Sequence, residues 1–320
     1  MLDVLDAFNI DLIRAGIRLA TPILLAALAG AICNRAGILN LALEGKMLMG
    51  AFLGIYITYK VGNTYLGIIL ALILGGLVGG IFALFYLKYE VNLILLALAF
   101  NLLALEVTVY FMRILFGNVG SWTDPSIKRL PEINFLGSET NEGFLSIFNN
   151  HNLIVYISWA LVVFVYIILF KTPIGRHVRS IGENQEAAET LGINVARVQV
   201  AVLVVAGMLC ALAGAFLSVG HMTMFTRNIS NGRGWRGVAA AIFGFQHPVG
   251  VFFASLFFGT ADALSLRIQS VSDYPPSLVK LIPQFSTIFA LTIVGLRAKF
   301  LVNLARIKFR RNLDKKINNF

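Results

Sequence analysis

Apolar runs long enough to cross a bilayer recur along this 320-residue chain and constrain its fold more than any other feature. Backbone polar groups in lipid can be satisfied only within helices or closed barrels, and these runs lack the two-residue alternation of barrel strands. The sequence therefore predicts an all-α polytopic membrane protein with about eight to ten transmembrane helices, one of them short or re-entrant. The runs lie at about 17–33, 41–59, 65–87, 91–112, 152–170, 199–220, 249–268 and 279–297, and the short one lies at 237–246.

Composition agrees with this class, because 58% of residues are hydrophobic and 13% are charged, whereas soluble domains carry about 25% charged residues. The first residues contain Asp3 and Asp6 in place of a basic segment, so we expect no cleaved leader. Cys33 and Cys210 lie in apolar segments, which indicates neither a disulfide scaffold nor a thiolate metal site.

The distribution of charge predicts the topology of a single transmembrane domain spanning residues 1–320. Segment 117–151 is the more acidic one and is predicted to be an extracytoplasmic loop, whereas segment 171–198 and the tail 298–320 are basic and predicted to be cytoplasmic. Five runs precede segment 171–198, so the N-terminus is expected outside, and the short run has to count as a crossing or pair with the next helix as a broken hairpin. We expect a multi-pass protein of a bacterial inner membrane whose tail contacts anionic lipid.

A faint internal repeat is also visible. The runs at 17–33 and 199–220 each lead into a glycine-containing turn, with Gly37 in the first case and Gly232 and Gly234 in the second. Transporters often arise by duplication, and the broken segments of each half then line the pathway.

Catalytic motifs are missing from the sequence. The Gly45-Lys46 pair is followed by Met47 and lacks the first glycine of a phosphate-binding loop. The four histidines stand apart, and no serine lies in a nucleophile elbow. We expect a non-catalytic subunit without cofactor, metal ion or nucleic-acid partner, and a membrane enzyme remains only a minor alternative.

Polar and aromatic residues within the apolar runs are candidates for a substrate path, because ionisable groups are costly in a membrane. For Glu44 the alternative is a structural carboxylate, and for Asn101 it is a hydrogen bond between helices. The candidates are Asn40, Glu44, Asn101, Glu106, Phe243, Phe245, Gln246 and Asp262.

Segment 171–198 contains a short predicted helix over 183–191, bounded by Gly182 and Gly192. Ala187, Ala188 and Leu191 are expected to form an apolar stripe on it. A helix of two turns is not stable alone in water, so it needs a surface to pack against. That surface is either the ends of its own helices and the lipid, or a groove in a cytosolic partner.

The sequence Glu-Ala-Ala-Glu-Thr-Leu-Gly at 186–192 resembles the EAA-type coupling motif of permease subunits in ATP-binding-cassette (ABC) importers. The segments 37–41, 237–241 and 258–264 extend a resemblance to the ribose/branched-chain amino acid/nucleoside permease family over about residues 20–297, with features of its nucleoside branch. The resemblance implies a second permease subunit in a heterodimer, a cytosolic ABC ATPase and an extracytoplasmic substrate-binding lipoprotein. It assigns coupling to the ATPase to Glu183, Asn184, Glu186, Ala187, Ala188, Leu191 and Gly192.

Two alternatives stay open. The same ATP-driven architecture could import a simple sugar such as ribose or a branched-chain amino acid. A transporter of another class would be driven by protons or sodium through Glu44, Glu106 or Asp262.

Overall fold

The computed structural model describes residues 10–117, 120–134, 147–271, 275–279, 281–290, 292–293 and 295–296. The predicted basic tail at 298–320 lies outside the described residues, as do residues 135–146 of the predicted loop. The helices are α1 (Ile10–Arg35), α2 (Leu43–Val61), α3 (Thr64–Leu87), α4 (Leu93–Phe116), α5 (Leu153–Lys171), α6 (Pro173–Glu183), α7 (Gln185–Thr190), α8 (Val195–Ala215), α9 (Arg233–Phe243), α10 (Pro248–Val271), α11 (Pro276–Val279) and α12 (Leu281–Ala290).

Within the described residues, six helices are long and apolar enough to cross a membrane: α1, α3, α4, α5, α8 and α10. A π-helical turn, Phe216–His221, extends α8, and the side-chain amide of Asn152 donates to the carbonyl of Gly220 in it at 3.1 Å. The predicted all-α polytopic fold is therefore confirmed. The predicted short run near 237–246 corresponds to α9, which begins at Arg233.

Two short antiparallel ladders join loops at one end of the helices. Strand β1 (Ser121–Trp122) pairs with β4 (Phe225–Thr226), and β2 (Glu132–Ile133) pairs with β3 (His151–Asn152). The segment between α8 and α9 is thereby fastened to the segment between α4 and α5.

The predicted repeat appears in how the helices pack. Helix α1 packs most extensively against α10 and also against α9, whereas α8 packs most extensively against α3 and also against α2. Helices α1, α2 and α3 correspond in turn to α8, α9 and α10. With this correspondence the contact of α1 with α10 matches that of α8 with α3, and the contact of α1 with α9 matches that of α8 with α2. Because α1 ends where α8 begins, the two sets run in opposite directions, as in an inverted repeat.

Small residues permit the close approach of α3 and α8. A Cβ atom on Gly75 would lie 2.1 Å from the Cβ of Ala211, and one on Gly79 would lie 2.4 Å from the carbonyl oxygen of Leu203. In membranes such contacts hold helices together through van der Waals packing, because lipid offers no hydrophobic drive for association.

The end of α1 marks the other end of the bundle. Arg35 donates from Nε to the carbonyl of Gln246 at 3.1 Å, and a Cβ on Gly182 would lie 2.3 Å from the carbonyl oxygen of Arg35. The C-terminal ends of α1, α6 and α9 therefore meet at the end opposite the two ladders. The side of the membrane that each end faces stays a prediction.

The predicted coupling helix is divided differently in the structure. Gly182 lies inside α6, so the prediction that it bounds the coupling helix is wrong; its missing side chain serves the contact with Arg35. Asn184 separates α6 from α7 and caps α7, with Oδ1 accepting from the Ala187 N–H at 3.0 Å. Gly192 follows with a φ of +81°, a left-handed conformation that favours glycine.

The predicted apolar stripe is also wrong as a single face. Ala188 is 1% exposed and packs against Ile181 and Val195 of the same chain, whereas Leu191 is 78% exposed. Helix α7 therefore gains its stability from α6 and α8. Ala187 is exposed like Leu191, and Leu191 is the large apolar side chain left free for another surface.

Candidate functional site

A cavity of about 480 Å³ opens beside the N-terminal end of α9, between that helix, α10 and α12. Its volume lies within the roughly 300–1,000 Å³ of small-molecule sites. It is lined by Asn231, Gly232, Arg233, Trp235, Arg236, Asp262, Ser265, Leu266, Gln269, Pro283, Gln284, Thr287 and Ile288.

Glycines position the start of α9 beside this cavity. Gly232 precedes the helix with a φ of +77°, which places it in the left-handed region. A Cβ on Gly234 would lie 2.5 Å from the Cα of Glu44, so only glycine lets the helix end approach α2 this closely. The loop and the start of α9 are therefore built to rest on Glu44.

The Glu44 carboxylate caps α9 from another segment of the chain. Its Oε1 accepts from the Gly232 N–H at 2.8 Å, and its Oε2 accepts from the N–H groups of Gly234 at 2.6 Å and Trp235 at 3.3 Å. The first N–H groups of a helix have no partner within it and favour a negative charge. Glu44 satisfies both requirements while itself only 9% exposed.

Two arginines and one aspartate surround this capped end. Arg236 forms an ion pair with Asp262 of α10, and both side chains are largely buried. Arg233 is 9% exposed and donates from Nη1 to the carbonyl of Ile229 at 3.2 Å. Together with Glu44 these groups carry two positive and two negative charges, so the buried charges of this wall sum to zero.

The cavity also offers neutral groups. Trp235 is 41% exposed and presents an aromatic ring, and Gln269, Gln284 and Thr287 supply amides and a hydroxyl. An aromatic surface with a few convergent hydrogen-bonding groups is the arrangement that binds small organic molecules. Among the described residues no cluster of His, Cys, Asp or Glu could hold a metal ion.

The predicted path residues do not lie together. Asp262 lines the cavity, and Glu44 supports its wall from behind. Asn40 and Asn101 lie at the irregular segment before α2, where Asn40 Oδ1 accepts from the Ala42 N–H at 3.1 Å. These two asparagines stabilise that irregular segment and do not line the cavity.

The remaining candidates lie away from the cavity. Glu106 is on the exposed face of α4, where its carboxylate is 3.8 Å from the guanidinium of Arg227. Phe243 packs against Phe257 and Phe258 of α10. Phe245 and Gln246 follow the far end of α9, and their carbonyls accept from Arg35.

Sequence reasoning misses Trp235, Arg236 and Gln269. It assigns the arginines to a loop, because isolated positive charges are usually excluded from a membrane segment. A signal is present on α10, where Asp262, Ser265 and Gln269 follow one another at intervals of three and four residues and so share one helix face.

Several relatives resemble this chain over most of its length. The guanosine ABC transporter permease NupQ of Bacillus subtilis is 30% identical over 91% of this chain and 93% of its own. The nucleoside ABC transporter permease NupC of Lactococcus lactis is 28% identical over 86% and 89%. The glucose ABC transporter permease TsgB13 of Haloferax volcanii is 27% identical over 85% and 74%.

A second guanosine permease of Bacillus subtilis, NupP, is 26% identical over 88% of this chain and 81% of its own. The family described as "Branched-chain amino acid transport system / permease component" matches residues 12–291, which include the cavity and α7. The chain is a multi-pass membrane protein and belongs to this family of ABC transporter permeases.

Proposed function

We propose that this chain is a permease subunit of an ATP-driven importer of nucleosides, and that the cavity beside α9 is its substrate site. The observation that carries the proposal is the pairing of an exposed Trp235 ring with the amides of Gln269 and Gln284 around about 480 Å³. A nucleoside has an aromatic base and a polar sugar, so it can use both kinds of group at once.

Relatives support nucleosides over the other substrate classes. Two of them, NupQ and NupC, are named for guanosine or nucleosides and match about nine-tenths of this chain. The name of TsgB13 refers to glucose, so a sugar is the second candidate substrate. A branched-chain amino acid is disfavoured by the cavity, because the charges of Arg236 and Asp262 are already paired with each other.

The proposed importer needs three further components. Bacillus subtilis has both NupQ and NupP among the relatives, which supports a second, non-identical permease subunit. The sequence contains no phosphate-binding loop, so ATP has to be bound by a cytosolic ATPase. A substrate-binding lipoprotein on the outer face would deliver the nucleoside.

Helices α6 and α7 are the proposed contact with the ATPase. Ile174 and Leu191 are 67% and 78% exposed at the same end of the bundle, and such exposed apolar side chains fit a groove in a partner. Since α6 and α7 pack on α5 and α8, movement of the ATPase would be passed to the membrane helices as a rigid-body displacement. This end would face the cytoplasm of a bacterial cell.

Reconstitution tests the proposal. The complete importer in proteoliposomes, with its lipoprotein, should accumulate radiolabelled guanosine when ATP is enclosed with the ATPase, and ribose, glucose and leucine should not compete. Competition by ribose or glucose would establish a sugar importer in its place. Accumulation of guanosine by this chain alone under a proton gradient would overturn the ATP-driven mechanism.

A further inference from the structure

We infer that Glu44 is a built-in anion that makes the substrate site reject phosphorylated substrates. This inference rests on the proposed function and names a specificity determinant of the same site. A helix that starts within a protein beside a cavity is ordinarily a binding place for phosphate or carboxylate groups. Here the N–H groups of Gly232, Gly234 and Trp235 already bind the Glu44 carboxylate at 2.6–3.3 Å.

Two residues that line the cavity belong to this occupied helix end. Gly232 and Trp235 line the cavity and donate their N–H groups to Glu44, which approaches from the side of α2. The donors are therefore directed away from a ligand in the cavity. A phosphate group in the cavity would find neither these donors nor the helix charge available to it.

The other charges leave no positive excess for a second anion. Arg236 is paired with Asp262, while Arg233 is buried beside Glu44 and Asp262 at the same helix end. The sum of these four charges is zero. A phosphate would lose its hydration on entry and meet a wall whose charges sum to zero, whereas an uncharged nucleoside carries no such penalty.

The negative charges of Glu44 and Asp262 can be removed one at a time. Glu44→Gln and Asp262→Asn each remove one negative charge and leave the wall with one net positive charge. Arg236→Gln removes a positive charge at the same place and serves as the matched control. Asp262→Asn leaves the cap on α9 untouched, so it carries the test alone should Glu44→Gln fail to fold.

The measurement is displacement of radiolabelled guanosine from the purified complex of this chain, its partner permease and the ATPase, without the lipoprotein. We expect guanosine 5′-monophosphate to displace the label at least about tenfold more weakly than guanosine does. In Glu44→Gln and Asp262→Asn this gap should shrink by about tenfold, and in Arg236→Gln it should not shrink.

The outcomes separate this inference from the proposed function. Equal displacement by the monophosphate and guanosine in the unchanged complex would overturn the inference and leave nucleoside transport intact. An unaltered gap in Glu44→Gln, or in Asp262→Asn should Glu44→Gln fail to fold, would also overturn it, as would an equal shrinkage in Arg236→Gln. Absence of guanosine binding to the unchanged complex would overturn the substrate assignment and the inference with it.

Discussion

The side-chain oxygen of Asn101 accepts a hydrogen bond from the backbone N–H of Gly45 at 2.8 Å. The amide nitrogen of the same side chain donates to the carbonyl of Leu41 at 3.0 Å. Asn101 thus replaces two backbone partners that the irregular segment before α2 cannot supply, and it fixes α4 to that segment. Glu44, which precedes Gly45 in the chain, is thereby held in position to cap α9.

Asn101→Ala should therefore lower the free energy of unfolding by about 1–3 kcal/mol, because the partly buried Gly45 N–H and Leu41 C=O lose their partner. Asn92→Ala on the same helix is the matched control. Asn92 caps α4 at an exposed end, where water can replace it, so its loss should cost about 1 kcal/mol or less. Thermal unfolding of the purified variants measures both changes. Equal losses of stability would contradict the role of Asn101 in fixing α4 to the segment before α2.

Two neighbouring glycines on α3 provide a test of its contact with α8. Gly79→Ala should destabilise by about 1–3 kcal/mol, because the new Cβ would lie 2.4 Å from the carbonyl oxygen of Leu203. Gly80→Ala meets nothing closer than 3.6 Å and should be neutral, or stabilising by up to about 1 kcal/mol through helix propensity. Thermal unfolding should show a lower melting temperature for the first variant only, and an equal decrease in both would argue against this packing face.

Leu191→Ala should uncouple transport from ATP hydrolysis without harming the subunit. The side chain is 78% exposed, so its loss removes no internal contact of size, while the proposed ATPase groove loses its apolar anchor. Uptake in proteoliposomes should fall at least about tenfold, in line with the loss of a central anchor residue. The melting temperature of the isolated subunit should stay unchanged.

Ala188→Glu is the contrasting variant on the same helix. Ala188 is 1% exposed and lies against Ile181 and Val195, so a buried carboxylate there should destabilise the subunit itself. If Leu191→Ala lowered the melting temperature as much as Ala188→Glu, the division between an internal and a free face of α7 would be wrong.

His151 should make the stability of the fold sensitive to acid. Burial, with a further contribution from the nearby Arg18 and Arg14, lowers the pKa of His151 below its usual 6.5, against a hydrogen bond to the Ile147 carbonyl that raises it. The unfolded chain then binds more protons than the folded one in the range below pH 6.5. The stabilisation is full above that pH and is lost as the pH falls through the range towards the lowered pKa.

His151→Gln should accordingly reduce the decrease in melting temperature between about pH 7.5 and pH 5.5, since its amide can still donate to Ile147 but does not titrate. His177→Gln, at an exposed site on α6, is the matched control for the substitution itself. An undiminished decrease in the His151 variant would assign the acid sensitivity to other groups.

The helices can be predicted from the sequence because their signals are local. The run expected at 249–268 is α10, which begins at Pro248 and ends at Val271. Proline, glycine and charge mark such ends within a few residues. The stripe of Gly75 and Gly79 likewise indicates a helix contact, although it does not identify α8 as the partner.

The site can be predicted only in part, because its defining contacts are distant in sequence. Asp262 stands out as an intramembrane charge, but the sequence pattern puts its partner Arg236 in a loop. Arg236 is satisfied by Asp262 and by the carbonyls of Gly232 and Asn231, and the pairing with Asp262 is not visible in the sequence. Glu44 meets Gly234 across 190 positions, and no local pattern shows that a carboxylate on one helix caps another.

The exchange of partners between the two halves of the repeat affects how the protein can be made. Helix α1 has its main neighbour in α10, and α3 has its main neighbour in α8, so the first three helices cannot enclose a core of their own. Their final packing can form only after the chain beyond residue 248 has been made. The nascent first half is therefore the stage at which this chain most needs protection from wrong associations in the bilayer.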